Sequence, residues 1–195
     1  MASILDTLSN HLDAGMLSQL TSRLGANQDT TSRAIAAAVP LLLGALAKNA
    51  SNPEGAERLH QALTRDHDGS VLDQPATITD NQRVNDGQAI LGHILGDRRP
   101  VAEQGISQAS GLDISKVGPL LAMLAPVVLG AVGRTRAKEG LDSQGLARVL
   151  GQERADIGSR APGVLGAVGR LLDRDQDGSP LNDISGMLGG LFGRH

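Results

Sequence analysis

The longest uncharged run of the chain lies inside the sequence Lys116-Val-Gly-Pro-Leu-Leu-Ala-Met-Leu-Ala-Pro-Val-Val-Leu-Gly-Ala-Val-Gly-Arg134, and this stretch decides the fold class. A stretch that is apolar on every side is typical of a helix buried in a protein core. A helix that crosses a bilayer needs about 20 predominantly apolar residues, and Gly118, Pro119 and Pro126 interrupt this one. A shorter apolar run occupies residues 34–47. We therefore predict two buried central helices of a soluble protein and no transmembrane segment.

The second half of this stretch is repeated along the chain. Residues 126–134 and 162–170 differ at a single position and start 36 residues apart, and a looser copy begins at Pro40. Flanking apolar and glycine positions match as well. Residues 15–63 and 101–150 are therefore predicted to be two versions of one unit: a short helix, a glycine stop, a long proline-containing helix and a short helix. The copy from Pro162 is partial.

The repeated proline is expected to bend the helix that contains it. Proline has no N–H to donate, and its ring clashes with the carbonyl group four residues earlier, which is that of Ala36 for Pro40 and of Ala122 for Pro126. The small residues that follow each proline let another helix approach closely. We interpret the two stretches as central helices bent around a common core, and a hinge or a ligand-lined kink is the alternative.

Helical periodicity continues outside these stretches. Gly25 follows an apolar pattern of helical spacing and is placed to end a helix in the left-handed conformation. Asn27 and Asn52 are predicted to cap the helices that follow them, the second with Pro53 at the first helical position. Residues 64–81 are polar and contain Gly and Pro, so they are predicted to be a loop.

Helices are expected to resume at about Gln82. The buried positions predicted for that helix are Val84, Ile90, Leu91, Ile94 and Leu95. Few segments show the strict apolar alternation of a strand. The predicted fold class is therefore all-α, with residues 1–195 forming a single helical domain that ends in a Gly-rich tail, residues 184–195.

The composition excludes several classes of function. The chain has 195 residues, with one Phe and no Cys, Trp or Tyr. Without Cys it has no disulfide framework, thiolate zinc site, iron–sulfur cluster or cysteine nucleophile. With a single aromatic side chain it has no stacking platform for single-stranded nucleic acid. The formal net charge of −3 provides no basic field over the whole molecule. The N-terminus does not resemble a secretory signal, so a cytoplasmic location is expected.

One loop matches the front of a calcium-binding loop. Three alternating aspartates followed by Gly178 fit positions 1, 3, 5 and 6, where carboxylates converge on one ion and Gly makes the turn. Position 12 is Ile184 in place of the usual Glu, so the preceding aspartate is the predicted last ligand. The predicted calcium ligands are Asp173, Asp175, Asp177 and Asp183. A shorter version of the loop occupies residues 66–73. Turn and helix-cap chemistry is the alternative for both loops.

No set of residues indicates an enzyme. The five histidines are scattered, without the four-residue spacing that places two metal ligands on one helix face. The chain has neither a nucleophile elbow nor a phosphate-binding Gly-Lys-Ser/Thr loop. His93 is predicted to be a half-buried, hydrogen-bonded side chain on an apolar helix face. We therefore expect a non-enzymatic protein.

Two basic segments keep nucleic-acid binding open as the alternative. They are the pair Arg98 and Arg99 and residues 134–138, which include Arg134, Arg136 and Lys138. The second segment lies at the end of a long apolar helix, where cations complement the helix dipole. Its functional interpretation is a phosphate-contacting surface beside two helices arranged as in a helix-turn-helix. The tail places glycines four residues apart and is expected to dock on the body or to self-associate.

The pattern as a whole resembles a known family. It combines Leu20-Thr-Ser-Arg-Leu-Gly25, the helix Ala-Ala-Ala-Val-Pro40-Leu-Leu-Leu-Gly-Ala-Leu-Ala47 and the closing Leu-Leu-Asp-Arg-Asp-Gln-Asp-Gly-Ser179 with its Gly-rich tail. Over most of its length the chain resembles the bacterial family called domain of unknown function 937. The resemblance implies a bacterial helical protein whose activity the family name leaves open, and it assigns no catalytic residues. Some relatives are grouped with homeodomain-like proteins, which supports the nucleic-acid alternative.

The leading hypothesis is a non-enzymatic helical binding or scaffold protein, stabilised by calcium through the four aspartates of the 173–183 loop. Its expected partner is another protein or a second copy of the chain. The alternative is a DNA-binding protein that uses the two basic segments.

Overall fold

The computed structural model of the chain describes residues 3–160, and these residues form eight α-helices and three short 3-10 helices. In chain order, α1 to α8 are Ile4–His11, Ala14–Leu24, Gln28–Asn49, Pro53–Arg65, Asn81–Leu95, Arg99–Ser110, Ile114–Glu139 and Ser143–Arg160. Every regular element of this described part is helical, which confirms the predicted all-α class. The partial repeat from Pro162 and the tail of residues 184–195 lie outside the described residues.

Helix α7 is the centre of the fold. Its residues from Val117 to Gly133 are buried, with Pro119 as the exception. Helix α5 packs along α7, and α1, α2, α3, α4 and α6 pack around it. The last ten residues of α3, from Pro40 onward, are mostly buried in the same core. The two apolar stretches are therefore the buried central helices that the sequence predicts.

The prolines lie inside continuous helices. Pro40 is within α3, and Pro119 and Pro126 are within α7. Since Pro126 has no N–H, it cannot donate to the carbonyl oxygen of Ala122. Gly87 of α5 lies against that carbonyl, so closely that a methyl group added at Gly87 would overlap with it. The small residue that permits the close approach is therefore on α5, facing the proline-containing helix.

Local sequence signals set the helix ends as predicted. The side chains of Asn27 and Asn52 accept hydrogen bonds from the amides of Thr30 and Gly55, at 2.8 and 2.7 Å. Gly25 ends α2 in the left-handed conformation with φ of 55°. These contacts satisfy amides and carbonyls that the ends of an isolated helix leave without partners.

The two predicted units show the same order of elements. In the first, α2 ends at Gly25 and is followed by the long α3 and by α4. In the second, α6 ends at Gly111, also in the left-handed conformation, and is followed by the long α7 and by α8. That the two are copies of one unit stays a prediction.

The predicted loop of residues 64–81 is shorter and better packed than expected. Helix α4 continues to Arg65, and two 3-10 turns follow, Ser70–Asp73 and Pro75–Thr77. Val71, Leu72 and Ile78 are buried against the core. The sequence did not indicate that these three side chains are buried. The segment is mostly polar, and its three apolar residues follow neither a helical nor a strand periodicity.

Two expectations for α5 were wrong. Val84 is half-buried rather than buried, and His93 is exposed rather than half-buried. The core face of α5 contains Ile90, Leu91 and Leu95. His93 is two residues from both Leu91 and Leu95, and a step of two residues turns a helix by about 200°. The side chain of His93 therefore faces solvent, and only its backbone carbonyl is bound, by Asn49.

By length and composition, α3 and α7 could each cross a membrane. In the fold, 61% of the most apolar window of α3 and 89% of that of α7 are buried within the protein. A core helix of a folded domain shows the same combination of length, apolar composition and burial. We attribute the apolar character of both helices to core packing.

Candidate functional site

An open groove of about 1250 Å³ runs between α4 and α5. The two helices run in opposite directions along it. At one end Asn49, just before α4, binds the carbonyl oxygens of His93 and Ile94 near the end of α5. At the other end His67, just after α4, is close enough to Arg83 and Asp86 near the start of α5 to feel their charges. The groove therefore has two parallel walls and two distinct ends.

The floor of the groove is apolar and rigid. Leu46 of α3 and Pro126 and Leu129 of α7 form its base. Leu59 of α4 and two isoleucines of α5, residues 90 and 94, line its sides. Most of these side chains are buried in the core, so they present narrow apolar strips whose positions are fixed by packing.

The rim of the groove is basic. Five of its lining side chains are cationic and two are anionic. The cations are Lys48, Arg58, Arg65, Arg83 and Arg98, and the anions are Asp66 and Asp86. The whole chain has a formal charge of −3, so this face has the opposite sign to the molecule that contains it.

The five cations differ in how they are paired. Arg65 forms an ion pair with Asp66 at 2.8 Å, and Arg58 lies 3.9 Å from Glu54 with both side chains largely in solvent. Such exposed pairs contribute little to stability. Lys48, Arg83 and Arg98 form no ion pair with any residue between 3 and 160. Three cations around an apolar floor are thus available to an anionic ligand.

His67 lies half-buried at the end of the groove where α4 finishes. Burial lowers the pKa of His67, because the ring loses the water that stabilises its charged form. Asp66, Asp86 and Asp68 act in the opposite direction without cancelling this effect, and Arg83 adds to it. The surroundings at this end of the groove therefore favour the neutral form of the imidazole.

The lowered pKa of His67 predicts a pH dependence of stability. Below the usual histidine pKa of about 6.5, the unfolded chain binds a proton that the folded chain resists. The free energy of unfolding should therefore fall as the pH drops from about 7 towards 5, and His67→Asn should reduce this slope. Urea titrations at several pH values measure it. His93→Asn, at an exposed position of α5, is the control and should keep the native slope. An unchanged slope in His67→Asn would contradict the assignment.

The 66–73 loop uses its polar groups within the protein. The carboxylate of Asp68 accepts a hydrogen bond from the amide of Ser70 at 2.9 Å, which lowers the pKa of Asp68. The guanidinium of Arg134 donates to the carbonyl oxygen of Gly69 at 2.8 Å and to the carboxylate of Asp73 at 2.6 Å. No group of three metal-ligating side chains occurs in the described part. Turn and cap chemistry, the alternative interpretation, explains this loop.

Glycines in the 66–73 loop and in α7 allow the loop to pack closely against this helix. Gly69 has φ of 101°, and a side chain there would crowd the carbonyl oxygen of Gly130 and Arg134 in α7. A side chain at Gly130 would overlap with Val71, and one at Gly133 would overlap with the carbonyl of His67. The predicted calcium ligands Asp173, Asp175, Asp177 and Asp183 lie outside the described residues, so calcium binding there stays a prediction.

The arginines of the two predicted basic segments differ in their partners, and Lys138 of the second segment is exposed. Arg134 binds the 66–73 loop, and Arg136 donates a hydrogen bond to the hydroxyl of Thr64. Arg99 is paired with Glu103 at 2.7 Å within α6, where the two side chains are partly buried. Of the four arginines, Arg98 alone lines the groove. Three of them therefore have structural partners of their own.

Sequence analysis missed four of the five groove cations. Lys48, Arg58, Arg65 and Arg83 are spread over three helices with no local charge cluster. The groove forms because α4 and α5 pack on α3 and α7, and that arrangement brings together cations up to 50 positions apart. The single local signal was the basic residue at the end of a predicted helix, as at Lys48, which the helix dipole explains equally well.

These features define the class: an all-α protein with buried proline-containing central helices and an open groove with a basic rim. Residues 6–135 match the family described as "Bacterial protein of unknown function (DUF937)". The match covers about two thirds of the chain, which therefore belongs to this family, and every residue that lines the groove lies within it. No curated protein and no solved structure gives a significant match.

Proposed function

We propose that this protein is a non-enzymatic binding module whose α4–α5 groove holds an acidic amphipathic helix of a partner protein. The observation that carries the proposal is the set of three cations, Lys48, Arg83 and Arg98, around an apolar floor on a chain of net negative charge. No ion pair within residues 3–160 neutralises them.

The shape of the groove favours a helix as the ligand. Its walls, α4 and α5, have 13 and 15 residues, so the groove is about 20 Å long, or roughly four turns of a helix. A helix with apolar side chains at positions i, i+3, i+4 and i+7 presents one strip to a groove floor. Its acidic flanks would then face the rim on both sides.

The charge of the rim favours acidic over neutral partners. Complementary charges steer encounter and reject partners of the same sign. The apolar floor favours a ligand with an apolar face over the phosphate backbone of a nucleic acid, whose contacts are polar throughout. DNA, the ligand in the alternative hypothesis, is therefore included as a competitor in the test.

The test measures binding of a fluorescein-labelled synthetic helix of about 18 residues, or five turns, with Leu on one face and Glu on the other. Fluorescence anisotropy should show saturable binding that weakens about tenfold in Arg83→Glu, a change of about 1.4 kcal/mol. Arg33→Glu makes the same charge change on an exposed part of α3, about 22 Å from Lys48 along the helix, and should bind as the native chain does.

Three results would overturn the proposal. The first is equal weakening by Arg83→Glu and Arg33→Glu, which would indicate a general charge effect. The second is stronger binding of a labelled DNA duplex than of the peptide. The third is the absence of peptide binding both in the native chain and in the chain with a neutralised tail that is described below.

Calcium stabilisation through the four aspartates of the 173–183 loop remains a separate proposal. It rests on the spacing of these carboxylates and on Gly178. The peptide measurement is made in EDTA, so it does not depend on calcium, and every groove residue lies between positions 46 and 129.

A further inference from the structure

We infer that the acidic C-terminal segment of this same chain, residues 173–192, occupies the α4–α5 groove and competes there with the partner helix. The inference rests on the proposed function, because it assigns to that groove an internal ligand of the same chemistry.

The charges of groove and segment are complementary. Lys48, Arg83 and Arg98 lie on the rim without an acidic partner among residues 3–160. Four aspartates occur within eleven residues of the C-terminal segment: Asp173, Asp175, Asp177 and Asp183. This is the densest group of acidic residues in the chain, with Arg174 as the one cation among them.

The apolar pattern of the segment matches the floor. Directly after the aspartates, Ile184, Met187, Leu188 and Leu191 have the spacing i, i+3, i+4 and i+7. This spacing supplies the anchors with which an amphipathic helix fills an apolar groove. Leu59, which is partly exposed, and the edges of Ile90 and Ile94 offer apolar surface of the corresponding kind. The segment therefore has both properties that the groove requires of its ligand.

The segment is also within reach. Helix α8 ends at Arg160 and packs against α4, which is one wall of the groove. Twelve residues separate Arg160 from Asp173, enough to span about 40 Å when extended. The groove itself is about 20 Å long. A tethered segment has a high effective concentration at such a distance, on the order of millimolar, so even weak intrinsic affinity would fill the groove.

The first experiment compares peptide binding to two full-length chains with EDTA present. In one, Asp173, Asp175, Asp177 and Asp183 are changed to Asn, which neutralises the tail. The control removes the same charge from exposed positions outside the groove, with Asp6→Asn, Asp29→Asn, Glu139→Gln and Asp156→Asn. The neutralised tail should raise the affinity for the labelled Leu/Glu helix at least tenfold, whereas the control should leave it unchanged. Equal affinities in the two variants would overturn the inference.

The second experiment observes the tail directly. The chain has no Trp and a single Phe, so Phe192→Trp introduces one fluorophore within the segment. Acrylamide should quench this Trp weakly in the native background, and at least twofold more strongly once Lys48, Arg83 and Arg98 are all changed to Glu. The Arg33→Glu background should quench as the native one does. Quenching that is equally strong with and without the three groove cations would overturn the inference. Protection that depends on protein concentration would also overturn it, because the occupant would then be the tail of a second copy.

The two proposals fail in different ways. If the peptide binds neither the native nor the tail-neutralised chain, the proposed function fails. If it binds both with the same affinity and with dependence on Arg83, the function stands and the internal ligand is rejected.

Discussion

The substitution Gly87→Ala should lower the free energy of unfolding by more than about 3 kcal/mol, although Ala is the better helix former. A methyl group at this position would overlap with the carbonyl oxygen of Ala122 in α7. The obstacle is backbone inside the most buried helix of the fold, so no side-chain rotation relieves it. Separating α5 from α7 instead would open the core along Leu91 and Leu95. Overpacking of this kind costs about 1–3 kcal/mol when side chains can adjust and more when they cannot.

The same helix provides a matched control at Gly92. A methyl group added there would meet no atom within 4 Å, and Gly92 is exposed in the fold. Gly92→Ala should therefore stabilise the protein by about 0.5–1 kcal/mol through helix propensity alone. Urea or thermal unfolding of both variants measures the contrast. If Gly87→Ala were as stable as Gly92→Ala, the close approach of α5 to α7 would be wrong.

The second large effect is expected at Glu153, where Glu153→Ala should cost about 2–4 kcal/mol. This carboxylate of α8 is 94% buried, and it accepts hydrogen bonds from the amides of Ile4 and Leu5 and from the hydroxyl of Ser3. The amide contacts measure 3.2 and 2.9 Å. Its loss would leave the amide of Ile4 and the hydroxyl of Ser3 without this acceptor, at about 1–3 kcal/mol for each one that stays buried. The amide of Leu5 keeps a second acceptor, the hydroxyl oxygen of Ser3, at 3.1 Å. The total loss of stability is limited because the first turn of α1 can unfold and expose its amides to water.

Two further variants separate the roles of charge and contact. Glu153→Gln keeps an acceptor oxygen of similar size and should cost only about 1 kcal/mol. Gln152→Ala changes an exposed neighbour on the same helix and should stay within about 0.5 kcal/mol of the native chain. Hydrogen exchange adds a local measurement, since the amide of Ile4 should lose protection in Glu153→Ala. Unchanged stability in Glu153→Ala would show that α1 is held by its apolar contacts alone.

These two contacts illustrate why the helices were predictable and their arrangement was not. The cap residues Asn27 and Asn52 act on amides three residues away, so their role can be deduced from local sequence. Glu153 caps a helix that begins about 150 positions earlier in the chain. Its sequence neighbours give no sign of that contact. The close packing of Gly87 cannot be deduced from the sequence either. Gly87 and Gly92 both lie within α5, and only Gly87 faces the backbone of α7.

The residues of the candidate site also fall into two groups, those that local sequence indicates and those that only the packing of helices brings together. Arg98 was noticed because it adjoins Arg99, and Asp73 because it follows an Asp-Gly-Ser turn. Both interpretations were local, and the structure reassigns one of them: Asp73 binds Arg134. The groove cations Lys48 and Arg83 belong to helices that are separate in sequence, and only the packing of α4 and α5 brings them to one rim.

The amino-acid sequence by itself determined the all-α class, the buried central helices, their caps and the family, because each depends on short-range periodicity, on local hydrogen bonds or on a continuous pattern. The tertiary structure decided where the groove lies, which cations surround it, which glycines must remain glycine and which carboxylate is buried. The physical reason is the separation along the chain of the residues that make each contact. Helix formation is governed by contacts three or four residues apart, whereas charge, burial and close approach at a site depend on which helices become neighbours.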